Sequence, residues 1–247
     1  MARTEPSCLI RHPEGFYTSE VPAEAHAAPA RPLRTFLPTG YEPNYPYPLV
    51  VFLHGHGGSD EQILRLAPRL SRRNFICIAL RGPHAVTGRH RDQAAFSWGR
   101  DEPIDPLVED YVLRSIEQTR RAYHVHSERI YLAGYGEGAT LAYRLGLAWP
   151  EKFAGVISLN GIMPRRGGPL FRLPEMRQLR VLIAHGLANS VVPLSLARGD
   201  YQLLYSAGVD VRMRTYPTTH RIHPDMLRDM NHWIIDHIND ELDAFRF

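Results

Sequence analysis

The stretch LAGYGEG, Leu132–Gly138, closes an apolar run, RIYLAG, and precedes ATLAYRLGLAWP, which has helical character. A buried strand, a sharp turn flanked by glycines and a helix form an elbow of the G-x-S-x-G kind, which lifts a nucleophile above a strand end for acyl transfer. The apex here is Gly136, so the position that would carry a hydroxyl carries only hydrogen. Two more positions follow in the matching chain order. Asn189, in HGLANSVVP, comes after another apolar run, where an acid would stand; His220, in YPTTHRIHP, lies in a polar loop, where a base would stand. Asn can accept a hydrogen bond from imidazole Nδ1–H and fix the ring, but it brings no charge to stabilise an imidazolium.

The electrophilic side of such chemistry needs N–H donors aimed at a developing oxyanion. In LVVFLHGHGGSDEQIL a buried run ends at His54, and Gly55, Gly57 and Gly58 allow a tight turn, with Ser59 or Asp60 available as the N-cap of a following helix. The expected donors are the backbone N–H groups of His56 and of Glu137, the residue after the apex. Tyr135 and Glu137 flank the apex, and their side chains are expected to point away from the site. Glu137 could serve as nucleophile only if the turn shifted by one residue.

The elements that must hold these residues are legible as short apolar runs. LVVFLH, FICIAL, RIYLAG, AGVISL and VLIAHG, bounded by Gly, Pro or polar residues, read as strands buried on both faces. VDVRMRTYP alternates with period two and reads as a strand with one more polar face. Leu107–Tyr123 places Leu107, Tyr111, Ser115, Ile116, Thr119 and Tyr123 near one helical face, and the last helix does the same with Met226, Met230, Trp233, Ile234, His237 and Ile238. Strands alternating with helices imply an α/β fold: a doubly wound, mostly parallel sheet flanked by helices, with functional residues beyond the carboxyl ends of the strands. Residues 1–48 read as a proline-rich entry segment with short strands, LRTFLP among them, belonging to the same domain as residues 49–247. The 247 residues suit one large core.

Composition narrows the partners. The net charge is +3, yet the arginines are spread along the chain with no basic run interleaved with aromatics, which argues against nucleic acid. Cys8 and Cys77 are too few for a disulfide framework or a thiolate metal site. The N-terminal MARTEPSCLIRHPEG lacks an apolar signal core, and no stretch approaches the ~20 apolar residues of a membrane span, so a cytoplasmic protein is expected. HGH at 54–56 and HVH at 124–126 resemble metal pairs, but no carboxylate or Cys cluster accompanies them; neither a metal nor a cofactor is expected.

LHGHGG, RIYLAGYGEGATLAY, FAGVISLNG, HGLANSVVP and YPTTH together resemble the carboxylesterase/phospholipase branch of the α/β-hydrolase fold, which includes acyl-protein thioesterases and dienelactone-hydrolase-like enzymes. The resemblance runs from about Leu49 to Ile238. The family pattern has Ser at the position of Gly136, Asp at that of Asn189 and usually Gln at that of Glu137, while His220 matches. It implies an acyl pocket near His54, Gly55, Tyr135 and Trp98, with Trp98 either walling the pocket or only anchoring its loop. MPRRGGPLFRLPEMRQL, from Met163, could form the opposite rim or a partner surface. Three readings follow: a pseudo-hydrolase that keeps a pocket for a small acyl or ester-like ligand, a weak ester or thioester hydrolase using a His220-activated water, or a structural or regulatory subunit. The sequence leaves the ligand and the oligomeric state open.

Overall fold

The computed structural model describes residues 10–11, 15–22, 30–87, 94–99, 105–165 and 176–244. In chain order the strands are β1 (Ile10–Arg11), β2 (Phe16–Val21), β3 (Arg31–Phe36), β4 (Tyr47–Leu53), β5 (Ile76–Leu80), β6 (His84–Val86), β7 (Ala95–Ser97), β8 (Val125–Tyr135), β9 (Gly155–Leu159), β10 (Arg180–Gly186) and β11 (Asp210–Tyr216). The helices are α1 (Asp60–Leu64), α2 (Ala67–Leu70), α3 (Pro106–Ala122), α4 (Glu137–Ala148), α5 (Leu194–Ser206) and α6 (Pro224–Ala244).

Among the described residues the main sheet has the order β1-β2-β3-β5-β4-β8-β9-β10-β11. From β5 to β11 all pairings are parallel, and β1, β2 and β3 add an antiparallel edge. The mostly parallel, helix-flanked sheet expected from the alternating runs is therefore present. β3 begins two residues before LRTFLP and takes in Pro32. Its pairing with β5 starts only at Leu33, so the missing N–H of Pro32 interrupts no bond on that side. β2 is a second short strand of the entry segment, one that no motif marks. FYTSEV carries only two buried residues, Ser19 and Val21, and so little apolar signal.

Helices cover both faces. One cluster buries Val108, Tyr111 and Val112 of α3, Leu141 and Leu145 of α4 and Leu204 of α5 against the sheet; the other buries Ile63 and Leu64 of α1 with Met226, Met230, Trp233 and Ile234 of α6. Each such side chain contributes about 1.5–3 kcal/mol when taken out of water. The face read for the last helix is the buried one, with His237 and Ile238 included. On α3 the stripe differs by one position: Leu107 is 41% exposed, and Val108 and Val112 are buried instead. The helix begins only at Pro106, capped by the Asp105 side chain, so Leu107 lies in the first turn, while Val108 aligns with Tyr111, Val112 and Ser115.

After β4 the chain crosses to β5 on one side, and after β5 it returns through α3 to β8 on the other side of β4. β4 and β8 thus flank a topological switch point, where the loops beyond their carboxyl ends diverge and leave a crevice. HGHGG follows β4 and the Gly136 turn follows β8, so both motifs open into that crevice.

Candidate active site

The elbow is built. β8 runs into Tyr135, Gly136 is the N-cap of α4 with φ 54° and ψ −116°, and its N–H donates to Leu159 O at 3.0 Å. A positive φ of this kind strains any residue bearing a Cβ, and glycine escapes that strain. The flanking glycines have a different reason: a Cβ on Gly134 would overlap the backbone of Gly138, and one on Gly138 would overlap Leu53 O. Only at these positions can α4 start so close to β8 and β4.

His220 faces the apex. A Cβ placed on Gly136 would lie 3.2 Å from His220 Nε2, so the ring stands over the place where a side chain would rise. On its other edge, His220 Nδ1 lies 3.2 Å from Asn189 Oδ1. Asn189 is buried, and the same Oδ1 accepts the N–H groups of Val191 and Val192 at 3.1 and 3.0 Å. The structure thus brings Gly136, His220 and Asn189 together in that order, with the imidazole between the apex and the amide. The orienting group is a neutral amide, so it aligns the ring without supplying a negative charge.

His56 and Glu137 also meet at this crevice. The N–H groups of Gly57 and Gly58 bond Phe96 O and Gly55 O, both at 2.9 Å, whereas the His56 N–H makes no backbone hydrogen bond among the described residues. Glu137 opens α4, so its N–H is one of the first-turn amides without an intrahelical partner. Tyr135 lines the cleft, as the resemblance implies, and Glu137 lines it too, so neither flanking side chain points away from the site. Each is held by a polar partner that faces it: Tyr135 O–H donates to His220 O at 2.6 Å, and the Glu137 carboxylate accepts from Ser97 Oγ at 2.8 Å and Trp98 N–H at 3.2 Å. His56 Nδ1 lies 3.7 Å from Glu137 Oε2.

His54 and Trp98 form one wall. The indole N–H of Trp98 donates to His54 O at 2.8 Å, and the two rings lie 5.0 Å apart. Trp98 therefore anchors its loop and lines the cleft at once. His54 accepts the Gly82 N–H on Nε2 at 2.9 Å, which places its own proton on Nδ1 facing Gly55 O at 2.8 Å. Burial pushes the pKa of His54 below its usual value, and burial does the same to His185, which lies beneath Asn189. His54 lines the cleft, whereas His185 lies wholly within the protein. Of the two N-cap candidates, Ser59 caps α1, accepting from Gln62 N–H, while Asp60 is fully buried and bonds Arg34 Nε and Arg81 Nε at 2.6 and 2.7 Å. Nothing in the sequence marked Asp60 as an ionic tie between β3, α1 and the loop after β5.

The cleft encloses about 1120 Å³ and reaches from the HGHGG loop past Gly136 and His220 to Thr140, Met163 and Val191. Met163, Pro164 and Arg165 line it, so the start of the MPRRGG segment does form a rim; residues 166–175 lie outside the described residues, as do 88–93 of the Trp98 loop, Cys8 and most of residues 1–14. Among the described residues no group of three or more His, Cys, Asp or Glu side chains is placed to hold a metal ion, and no helix is long and apolar enough to cross a membrane. Asn160, which sequence reasoning passed over, touches the site from below: it is fully buried, has φ 56° and is hydrogen-bonded to Asn189. The signal was present, since Asn followed by Gly marks a left-handed turn position.

Comparison with known proteins agrees with this fold. A probable carboxylesterase of Oryza sativa is 26% identical over 54% of this chain, and the putative esterase NocK of Nocardia uniformis 28% over 71%. The chain spans only about half the length of these two relatives, 53% and 48%. Acyl-protein thioesterase 1 of Mycosarcoma maydis is 26% identical over 75% of this chain and 89% of its own length. A carboxylesterase from Mesorhizobium loti superposes with a TM-score of 0.65 at 24% identity, covering 83% of this chain and 94% of its own, and the Bacillus cereus carboxylesterase with 0.60 at 21%, covering 77% and 89%. The phospholipase/carboxylesterase family model matches residues 43–238, a span holding β4, the Gly136 elbow, Asn189 and His220, and the chain belongs to that family of α/β-hydrolases.

Proposed function

We propose that this chain is a pseudo-hydrolase of the phospholipase/carboxylesterase family: it binds a small acyl or ester-like ligand in the cleft and does not form an acyl-enzyme. The observation that carries this reading is the elbow apex. Gly136 keeps the positive φ that a nucleophile would need, beneath a base side chain held in place by Asn189, yet supplies no oxygen to attack a carbonyl. The ligand carbonyl would point at the His56 and Glu137 N–H groups, with its acyl part along Trp98, Leu141 and Met163. Loss of the nucleophile in a serine hydrolase costs about 10⁶ in turnover, and the residual rate comes from binding and the oxyanion donors.

The test is intact-mass analysis after exposure to a fluorophosphonate, together with hydrolysis of p-nitrophenyl acetate and butyrate beside a His220→Ala control. The expected outcome is no adduct and no turnover above the control, with saturable binding of a fatty-acyl or ester analogue read by Trp98 fluorescence. Turnover abolished by His220→Ala would overturn the reading in favour of a His220-activated water. A protein that neither turns over nor binds any acyl analogue would leave the cleft a relic in a structural or regulatory subunit.

A further inference from the structure

Asn189 is embedded in a network that reads its two amide ends separately. Beneath it, Asn160 Oδ1 accepts the Gly186 N–H at 2.8 Å, and Asn160 Nδ2 donates to Arg221 O at 2.9 Å. Turning this amide over would set its NH₂ against an N–H and its oxygen against a carbonyl, so backbone groups on two elements fix its orientation. The atom that Asn160 presents to position 189 is therefore an acceptor. It lies 3.3 Å from Asn189 Nδ2. At the other end, the Val191 and Val192 N–H groups demand an acceptor and receive Asn189 Oδ1. With Asn189 held at both ends, its oxygen faces His220 Nδ1, which must be the donor.

We infer that Asn160 is a positioning residue that commits position 189 to an amide rather than a carboxylate, and through it fixes the His220 proton on Nδ1. A carboxylate at 189 would satisfy Val191, Val192 and His220 with one oxygen. Its other oxygen would meet Asn160 Oδ1 across the 3.3 Å now bridged by the Nδ2 proton, two acceptors facing each other in a buried place. His185 gives little relief: its Nε2 lies 3.3 Å from Asn189 Nδ2, but its one Nε2 proton is directed to Val192 O at 2.8 Å, and burial disfavours the charged form. Among the described residues, His185 and His220 are the titratable groups that touch position 189. The departure at 189 is thus supported by a second residue, and putting the acid back requires changing Asn160 too. This inference stands on hydrogen-bond geometry and does not depend on whether the cleft turns over an ester.

The experiment measures unfolding against pH for Asn189→Asp in the parent and in Asn160→Gly, whose backbone accepts φ 56°. With Asn160 present, the new carboxyl is held above its usual range in the folded state. The folded state then binds more protons than the unfolded one, so the stability loss is full at pH 8 and shrinks as the pH falls toward 4. In the Asn160→Gly background the same replacement should shift the unfolding equilibrium at pH 8 at least tenfold less and lose that pH dependence. Equal, pH-independent losses in the two backgrounds would overturn the inference. Should Asn160→Gly not fold, Asn189→Asp against the parent still decides it, since a pH-independent loss there refutes the clash. In the unmodified protein, long-range ¹H–¹⁵N correlation of neutral His220 should find the proton on Nδ1; a proton on Nε2 would refute the network. Neither readout involves ester turnover, so failure here is distinguishable from failure of the proposed function.

Discussion

Gly136→Ala tests whether the turn after β8 is an elbow. At φ 54° an added Cβ collides with the local backbone, at a cost of about 1–3 kcal/mol. The Cβ would also come within 3.2 Å of His220 Nε2, tight enough that the ring must swing and weaken its bond to Asn189, a further ~0.5–1.5 kcal/mol. Against this, alanine stiffens the unfolded chain and returns about 0.4–1 kcal/mol. The net loss is about 1–3.5 kcal/mol, which at this chain length lowers Tm by roughly 2–14 °C. Gly57→Ala is the matched control, because Gly57 has φ 72° but an added Cβ would meet nothing within 4 Å, so it isolates the strain. Thermal and urea unfolding of Gly136→Ala, Gly57→Ala and Gly136→Ala/His220→Ala should show Gly136→Ala as the worst, with the double variant's alanine penalty at 136 falling to that of Gly57→Ala. A Tm unchanged or raised by Gly136→Ala would refute the elbow and with it the roles assigned to Asn189 and His220.

Other outcomes follow from the same contacts. Glu137→Ala removes the acceptor for Ser97 Oγ and the Trp98 N–H, so it should cost about 1–3 kcal/mol in chemical unfolding and raise solvent quenching of Trp98; an unchanged emission spectrum would contradict that tie. Tyr135→Phe removes the bond to His220 O and should lower stability by about 1 kcal/mol while broadening the His220 ring resonances in NMR. His54 and His185, both lowered by burial, should keep the chemical shifts of neutral imidazole at pH values where exposed histidines have charged. Because the unfolded rings bind protons first, their contribution to stability is present above the ordinary histidine pKa of about 6.5 and is lost as the pH falls below it. Titration of either ring together with the exposed histidines would show that it is not buried as described.

The sequence by itself determined the core strands of the sheet and the positions of the two turns that follow β4 and β8. Strands buried on both faces leave continuous apolar runs, so β4, β5, β8, β9 and β10 could be read directly. The glycines of LAGYGEG and HGHGG marked the two turns because close approach and positive φ restrict residue choice at single positions. That Gly136 carries no hydroxyl and Asn189 no charge is likewise plain from the residue types. What only the tertiary structure decided is what stands against these positions. Tyr135 reaching His220 O, Glu137 held by Ser97 and Trp98, Asp60 tied between Arg34 and Arg81, and Asn160 reading the far end of Asn189 are contacts between residues tens of positions apart. A hydrogen bond across such a separation leaves no periodicity and no local propensity in the chain. It exists only once strand order has brought the ends of β4, β8, β9 and β10 side by side, and that order follows from packing whole elements rather than from any one residue.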